Sequence, residues 1–167
     1  MSVQQVIVTM DQLNGAYSEM IQAGEEKQQV IIKNDIQALT QIMTRETRLL
    51  KQIAEYDAER EEAMQAFLRE KGIRSKLQLT ITEMTRLVFE PGEKQSLIDA
   101  QKRLTETLVA LKNINQINKE LIDQSLAFID YSLNLVVSRP EDDMLYKNPA
   151  QQKTSGGNNR GFFDARA

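Results

Sequence analysis

Residues 113–122 read NINQINKELI, a run of isoleucines at helical intervals with asparagine and glutamine threaded between them. Ile114, Ile117, Leu121 and Ile122 recur at steps of three and four, the spacing that gathers side chains on one face of an α-helix. Carried outward, the same step collects Leu104, Leu108, Leu111, Leu126, Phe128, Ile129, Leu133, Leu135 and Val136. Neither Pro nor Gly interrupts the interval 93–139, so the pattern predicts one helix over about 93–138. On a wheel of about 100° per residue its apolar positions fill an arc of roughly 180°, wider than the roughly 100° that one packing partner needs. Such a helix is expected to touch two neighbours.

Lys112, Asn113, Gln116, Lys119, Glu120, Asp123 and Asp130 fall on the opposite, solvated side. Asn115 and Asn118 do not. Together with Ser125 and Ser132 they project from inside the apolar arc, where an amide without hydrogen-bond partners costs about 1–3 kcal/mol. Two readings stay open for them. They form a polar layer that fixes register between helices, as single asparagines do in coiled-coil seams, or they line an open seam and bond to a visiting helical peptide.

The rest of the chain falls into the same class. Val3, Met10, Tyr17 and Ile31 recur at multiples of seven with Val6, Leu13 and Met20 between them, which predicts a helix over about 2–33. Asn34 or Asp35 then caps a second helix over about 35–71, stopped by Gly72. Its apolar set includes Ile36, Leu39, Ile42, Met43, Leu49, Leu50, Ile53, Met64 and Phe67. Glu46, Asp57 and Arg60 also fall on that apolar side, and Asp57 and Arg60, three apart, can pair locally. So short a connection makes the two helices antiparallel neighbours. Thr80 and Glu83 have capping-box spacing ahead of a brief helix over about 81–89, ended by Pro91 and Gly92.

From 139 to 167 the composition shifts to prolines and the run SGGNN, with apolar islands at Met144-Leu145-Tyr146 and Phe162-Phe163, as in a flexible tail. The expected fold is therefore all-α: an elongated antiparallel helical bundle or coiled coil of three long helices plus one short helix over 1–138, with the tail over 139–167.

Composition narrows function. The 167 residues hold no His and no Cys, so the commonest general base, the thiol nucleophile and the usual zinc ligands are missing. There is no Glu-x-x-His pair for a di-iron bundle and no Gly-rich phosphate loop. No enzymatic activity, cofactor or metal is expected. Net charge is -3 with acids and bases interspersed, which offers no field of one sign to nucleic acid or anionic lipid. MSVQQVIVTM lacks a basic start and a sustained apolar core, and no later run approaches the roughly 18 apolar residues of a membrane span. The expected protein is soluble and untargeted, without membrane insertion or nucleic acid.

Three stretches carry a resemblance. KNDIQALTQIMTRETRLLKQIAEYDAER (33–60) opens a helix at Asp35 and carries Glu46, Leu49, Leu50, Asp57 and Arg60. LKNINQINKELIDQSLAFIDYSLNLV (111–136) places Asn115, Asn118, Leu121 and Ile122 in the order Asn-x-x-Asn-x-x-Leu-Ile. MLY (144–146) follows that helix, and the chain ends FFDARA. In this order and spacing they resemble the FlgN-like flagellar export chaperones, although Lys147 stands where that family often has Gly after the tyrosine. The resemblance implies a cytoplasmic protein that binds the helical C-terminal regions of the hook–filament junction proteins (FlgK/FlgL-like), prevents their premature assembly and presents them to the flagellar type III export gate (FlhA-like).

On this reading the candidate client-binding residues are Asn115, Asn118, Leu121, Ile122, Phe128, Ile129, Leu133 and Val136, and Leu145 and Tyr146 are candidates for export-gate docking. The rival reading is a structural coiled-coil or scaffold protein whose wide apolar arc closes a homodimer, and on either reading the open seam allows a homo-oligomer.

Overall fold

In the computed structural model, which describes residues 2–73 and 79–137, four helices follow one another: α1 (Ser2–Lys33), α2 (Ile36–Glu70), α3 (Ile81–Leu87) and α4 (Pro91–Val137). Among the described residues there is no strand. The expected tail over 139–167 lies outside them.

Local chemistry sets the helix ends. At the α1–α2 turn Asn34 adopts φ 55°, a left-handed conformation that asparagine tolerates, while Asp35 N–H donates to Val30 O at 3.1 Å. Asp35 then caps α2 by accepting from Ala38 N–H at 3.0 Å. At the far end Gly72, φ 75°, turns the chain so that Ile73 N–H reaches back to Leu68 O at 2.9 Å, the closure a C-terminal glycine permits. The capping box of α3 forms on both sides: Glu83 N–H donates to Thr80 Oγ1 at 3.2 Å, and Thr80 N–H donates to Glu83 Oε2 at 2.8 Å. Thr80 N–H foremost, and then the Thr80 hydroxyl, which donates to the same Oε2 at 2.9 Å, hold the Glu83 carboxyl below the usual carboxylate range.

Two boundaries differ from the sequence reading. α3 stops at Leu87, and α4 begins at Pro91 instead of two residues later. Proline suits a first helical turn because its missing N–H is not needed there, and the Glu90 carboxylate serves the turn by accepting from Glu93 N–H at 2.6 Å and Gly92 N–H at 3.2 Å.

Residues 1–125 form one unit and the chain from Leu126 onward a second. In the first, α1 and α2 make an antiparallel hairpin. Ser2 Oγ donates to Glu70 at 2.6 Å near the open end, and Lys27 Nζ meets Glu46 at 2.9 Å near the closed one. This ion pair accounts for Glu46 on the apolar side of α2, since both side chains are largely enclosed and a charge there needs an opposite one. Asp57 and Arg60 pair at 2.7 Å, as their spacing suggested.

α4 runs parallel to α1. Arg103 bonds Asp11 at 2.7 Å, Thr107 Oγ1 donates to Asn14 Oδ1 at 2.6 Å and Asn118 Nδ2 donates to Gly24 O at 2.7 Å, partners 92, 93 and 94 residues apart. Val6, Met10, Phe67, Met84 and Leu97 bring all four helices into one apolar cluster, and Leu13, Met20, Leu49 and Ile53 form a second between α1 and α2. Against that second cluster packs Tyr17, whose phenol is pushed above its ordinary value by burial first and by the Asp57 charge second, with Arg60 opposing.

Leu104 and Leu111 of α4 pack on the cluster between α1 and α2, so α4 meets two long neighbours as expected, but its apolar arc is not covered along its length. Among the described residues of α4 only Leu97, Ala100 and Asn118 are buried, because past the short α3 a single long helix, α1, supplies its hydrogen-bonding partners. α2 departs from expectation in the same way: Ile36, Met43 and Leu50, three of its apolar set, are exposed.

Candidate functional site

Asn118 is 3 % exposed. Its Nδ2 is committed to the Gly24 carbonyl at 2.7 Å, and its Oδ1 is buried with no hydrogen-bond partner among the described residues. The approach is close because residue 24 is glycine: a Cβ there would lie 3.2 Å from both Cγ1 and Cγ2 of Ile114. Glycine within a helix costs roughly 0.5–1 kcal/mol relative to alanine, and here that cost is matched by a close approach of two helices. The sequence reading singled out Asn118 and missed Gly24. An uncompensated glycine in an otherwise regular helical pattern was the available signal.

Asn115 lies elsewhere. It is exposed and helps line a shallow depression of ≈ 430 Å³ with Leu108, Leu111, Lys112, Gln116 and Lys119, so its amide has no buried-partner requirement to meet. Leu121 and Ile122 are half-buried. Ser125, on the same arc, satisfies its hydroxyl by donating to Leu121 O at 2.9 Å. Asn115 and Asn118, paired by sequence, are thus separated by burial: one faces out, and the other is spent on α1.

In the second unit the described residues are the last turns of α4, 126–137. They hold one charged residue, Asp130. Phe128 is 70 % and Val136 75 % exposed, and Leu126, Ile129, Tyr131, Leu133, Leu135 and Val137 are exposed as well. Ser132 adds no free donor, since its hydroxyl bonds Phe128 O at 2.8 Å. So dense a run of large apolar side chains on a helix is ordinarily buried. Of the sequence-derived candidates, Phe128, Ile129, Leu133 and Val136 belong to this stretch, and Leu145 and Tyr146 lie outside the described residues.

A further cavity of ≈ 450 Å³ is lined by Asp57, Arg60, Glu61, Met64, Gln65, Leu79 and Thr80. Among the described residues no group of three or more His, Cys, Asp or Glu is placed to hold a metal ion, and no helix is long and apolar enough to cross a membrane.

Exposed apolar helix surface of this extent is the kind that marks sites where one protein meets another. The comparisons place the protein further: a family model described as FlgN protein matches residues 1–154, and the chain belongs to the FlgN family, the flagellar export chaperones. It is similar to the Bacillus subtilis (strain 168) protein named Uncharacterized protein YvyG, 22 % identical over 167 residues and covering 100 % of both chains. No solved structure matches.

Proposed function

We propose that this export chaperone acts in the cytoplasm on the helical C-terminal regions of hook–filament junction proteins, FlgK/FlgL-like, covering them before assembly and delivering them to an FlhA-like export gate. The observation that carries the reading is the stretch 126–137, predominantly apolar, exposed, and with a single charge. An amphipathic client helix presents the matching surface, and helix-against-helix burial is a recurrent mode of peptide recognition. Phe128, Ile129, Leu133 and Val136 are the proposed anchors, with Leu121, Ile122 and the exposed Asn115 as further contacts. Asn118, buried and bonded to Gly24 O, is closed to a client and is reassigned to holding α4 on α1.

The test is calorimetry of the full chain with a junction-protein C-terminal peptide. Burying one large apolar side chain contributes about 1.5–3 kcal/mol, so Phe128→Glu is expected to weaken binding tenfold or more, with Val136→Glu close behind. Unchanged affinity in both variants removes the site. Export-gate docking is proposed for Leu145 and Tyr146. A Tyr146→Ala variant that binds client normally yet supports full export would refute that role.

A further inference from the structure

One side of α2 is buried near its C-terminus, at Met64 and Leu68, and bare over its first five turns. Ile36, Met43 and Leu50 stand at intervals of seven, 65 %, 52 % and 58 % exposed. Thr40, Thr47 and Ala54, also exposed, occupy the places between them. Counted on in sevens, these two rows pass Asp57 and Glu61 and arrive at Met64 and Leu68, so stripe and buried face share two heptad rows of α2. The stripe asks for no polar partner: Thr40 and Thr47 donate their hydroxyls to Ile36 O and Met43 O, both at 2.9 Å.

Its border is charged with one sign. Between Ile36 and Ala54 the charged residues are Arg45, Glu46, Arg48 and Lys51. Arg45 is bonded to Glu26 and Glu46 to Lys27. Arg48 and Lys51 have no ion pair among the described residues, and they flank Thr47, one beside it and one a turn further on.

We propose that this stripe is a docking surface for an amphipathic helix of a second protein, acidic along the border of its apolar face. The reading goes beyond the client contacts of α4 and does not depend on them. At about 1.5 Å rise per residue the stripe is about 27 Å long, which fits an occupant of roughly 18–20 residues. A second copy of this chain is the poorer occupant. It brings the same unpaired Arg48 and Lys51 to this border, and six side chains on one helix fall well short of the roughly 800 Å² per partner that a stable dimer buries.

The test titrates the full chain with two dye-labelled peptides of about 20 residues that share one leucine face, one bordered by Glu and the other by Lys, read by fluorescence anisotropy. The Glu peptide is expected to bind about fivefold tighter, the factor that two exposed ion pairs supply. R48E/K51E should reverse that preference, and Met43→Glu should weaken the Glu peptide tenfold or more. All three positions are exposed, so thermal melts of the variants should match the parent. Failure of R48E/K51E to reverse the preference overturns the proposal, as does a loss seen in Phe128→Glu and not in Met43→Glu. A dimer in sedimentation that Met43→Glu dissociates assigns the stripe to a second copy and overturns it too. Junction-peptide affinity measured on Met43→Glu keeps the two sites distinct, because the α4 reading requires it unchanged.

Discussion

Replacing Asn118 by leucine should make this protein more stable, against the usual direction of a core substitution. The bond from Nδ2 to Gly24 O, 2.7 Å long and buried, contributes about 1 kcal/mol net. Its loss leaves little behind, because the Gly24 carbonyl lies inside α1 and keeps its own helical N–H partner. Oδ1, buried and without a partner among the described residues, carries a cost of about 1–3 kcal/mol that leucine removes. Leucine, with the same number of side-chain heavy atoms, also adds apolar burial of about 1–2 kcal/mol in transfer terms, but its bulkier methyl cannot sit 2.7 Å from Gly24 O as the amide does, and refitting it beside Ile114 gives back about 1 kcal/mol. The net expectation is a gain of about 1–2 kcal/mol. Urea unfolding followed by circular dichroism measures it as a higher midpoint at unchanged slope. Asn118→Asp serves as the opposite control, since a carboxylate puts a second acceptor against the Gly24 carbonyl and should cost about 3 kcal/mol or more at neutral pH. A destabilisation of 1 kcal/mol or more in Asn118→Leu would refute the reasoning, for it would mean that Oδ1 is satisfied in solution.

Two further predictions concern the same unit. Gly24→Ala should change stability little, because a gain in helix propensity of about 0.5–1 kcal/mol is offset by a Cβ 3.2 Å from two carbons of Ile114. In an Ile114→Ala background the gain should appear in full, and a double-mutant cycle with no coupling would show that the contact does not matter. The second concerns acid. Glu83 is ionised more readily in the fold than its ordinary value of 4.5, so the stability it contributes is present above that value and is lost as pH falls through the lower, folded one. Glu83→Gln keeps an acceptor for Thr80 N–H and removes that step. Amide exchange at α3, followed from pH 7 down to pH 3, should therefore diverge between the two proteins at the acid end, and parallel curves would count against the capping role.

Helix ends were legible in the sequence because caps are made by neighbours in sequence: Asp35, Gly72 and the Thr80–Glu83 box each act within a few residues. The Asp57–Arg60 pair was legible for the same reason. Asn118 stood out as a polar residue in an apolar arc, but its partner is a backbone carbonyl 94 residues away, and no side-chain pattern advertises a carbonyl. Asn115 shares the arc on a wheel and yet is exposed. A wheel reports which residues share a side, not how much of that side neighbours cover, and coverage is set by α3 being only seven residues long. Ile36, Met43 and Leu50 were read as part of an apolar set for the same want of information. Their exposure follows from what is packed on α2, which the α2 sequence does not record.

The exposed end of α4 sets its own limit on how tightly a guest can be held. Phe128, Ile129, Leu133 and Val136, the proposed anchors, would contribute about 1.5–3 kcal/mol each on full burial, so roughly 6–12 kcal/mol together. Association costs an estimated 4–15 kcal/mol in lost translational and rotational freedom, and ordering a client peptide adds to it. Those four side chains alone therefore leave an affinity near break-even, and tight binding requires most of the stretch 126–137 to be covered together. Removing any one anchor should then cost nearly its full transfer value, with no surplus to hide the loss. On the proposed reading this suits a chaperone: a contact built from exposed apolar groups with one charge among them holds a client helix while most of it is engaged, and lets go once an export partner competes for part of it.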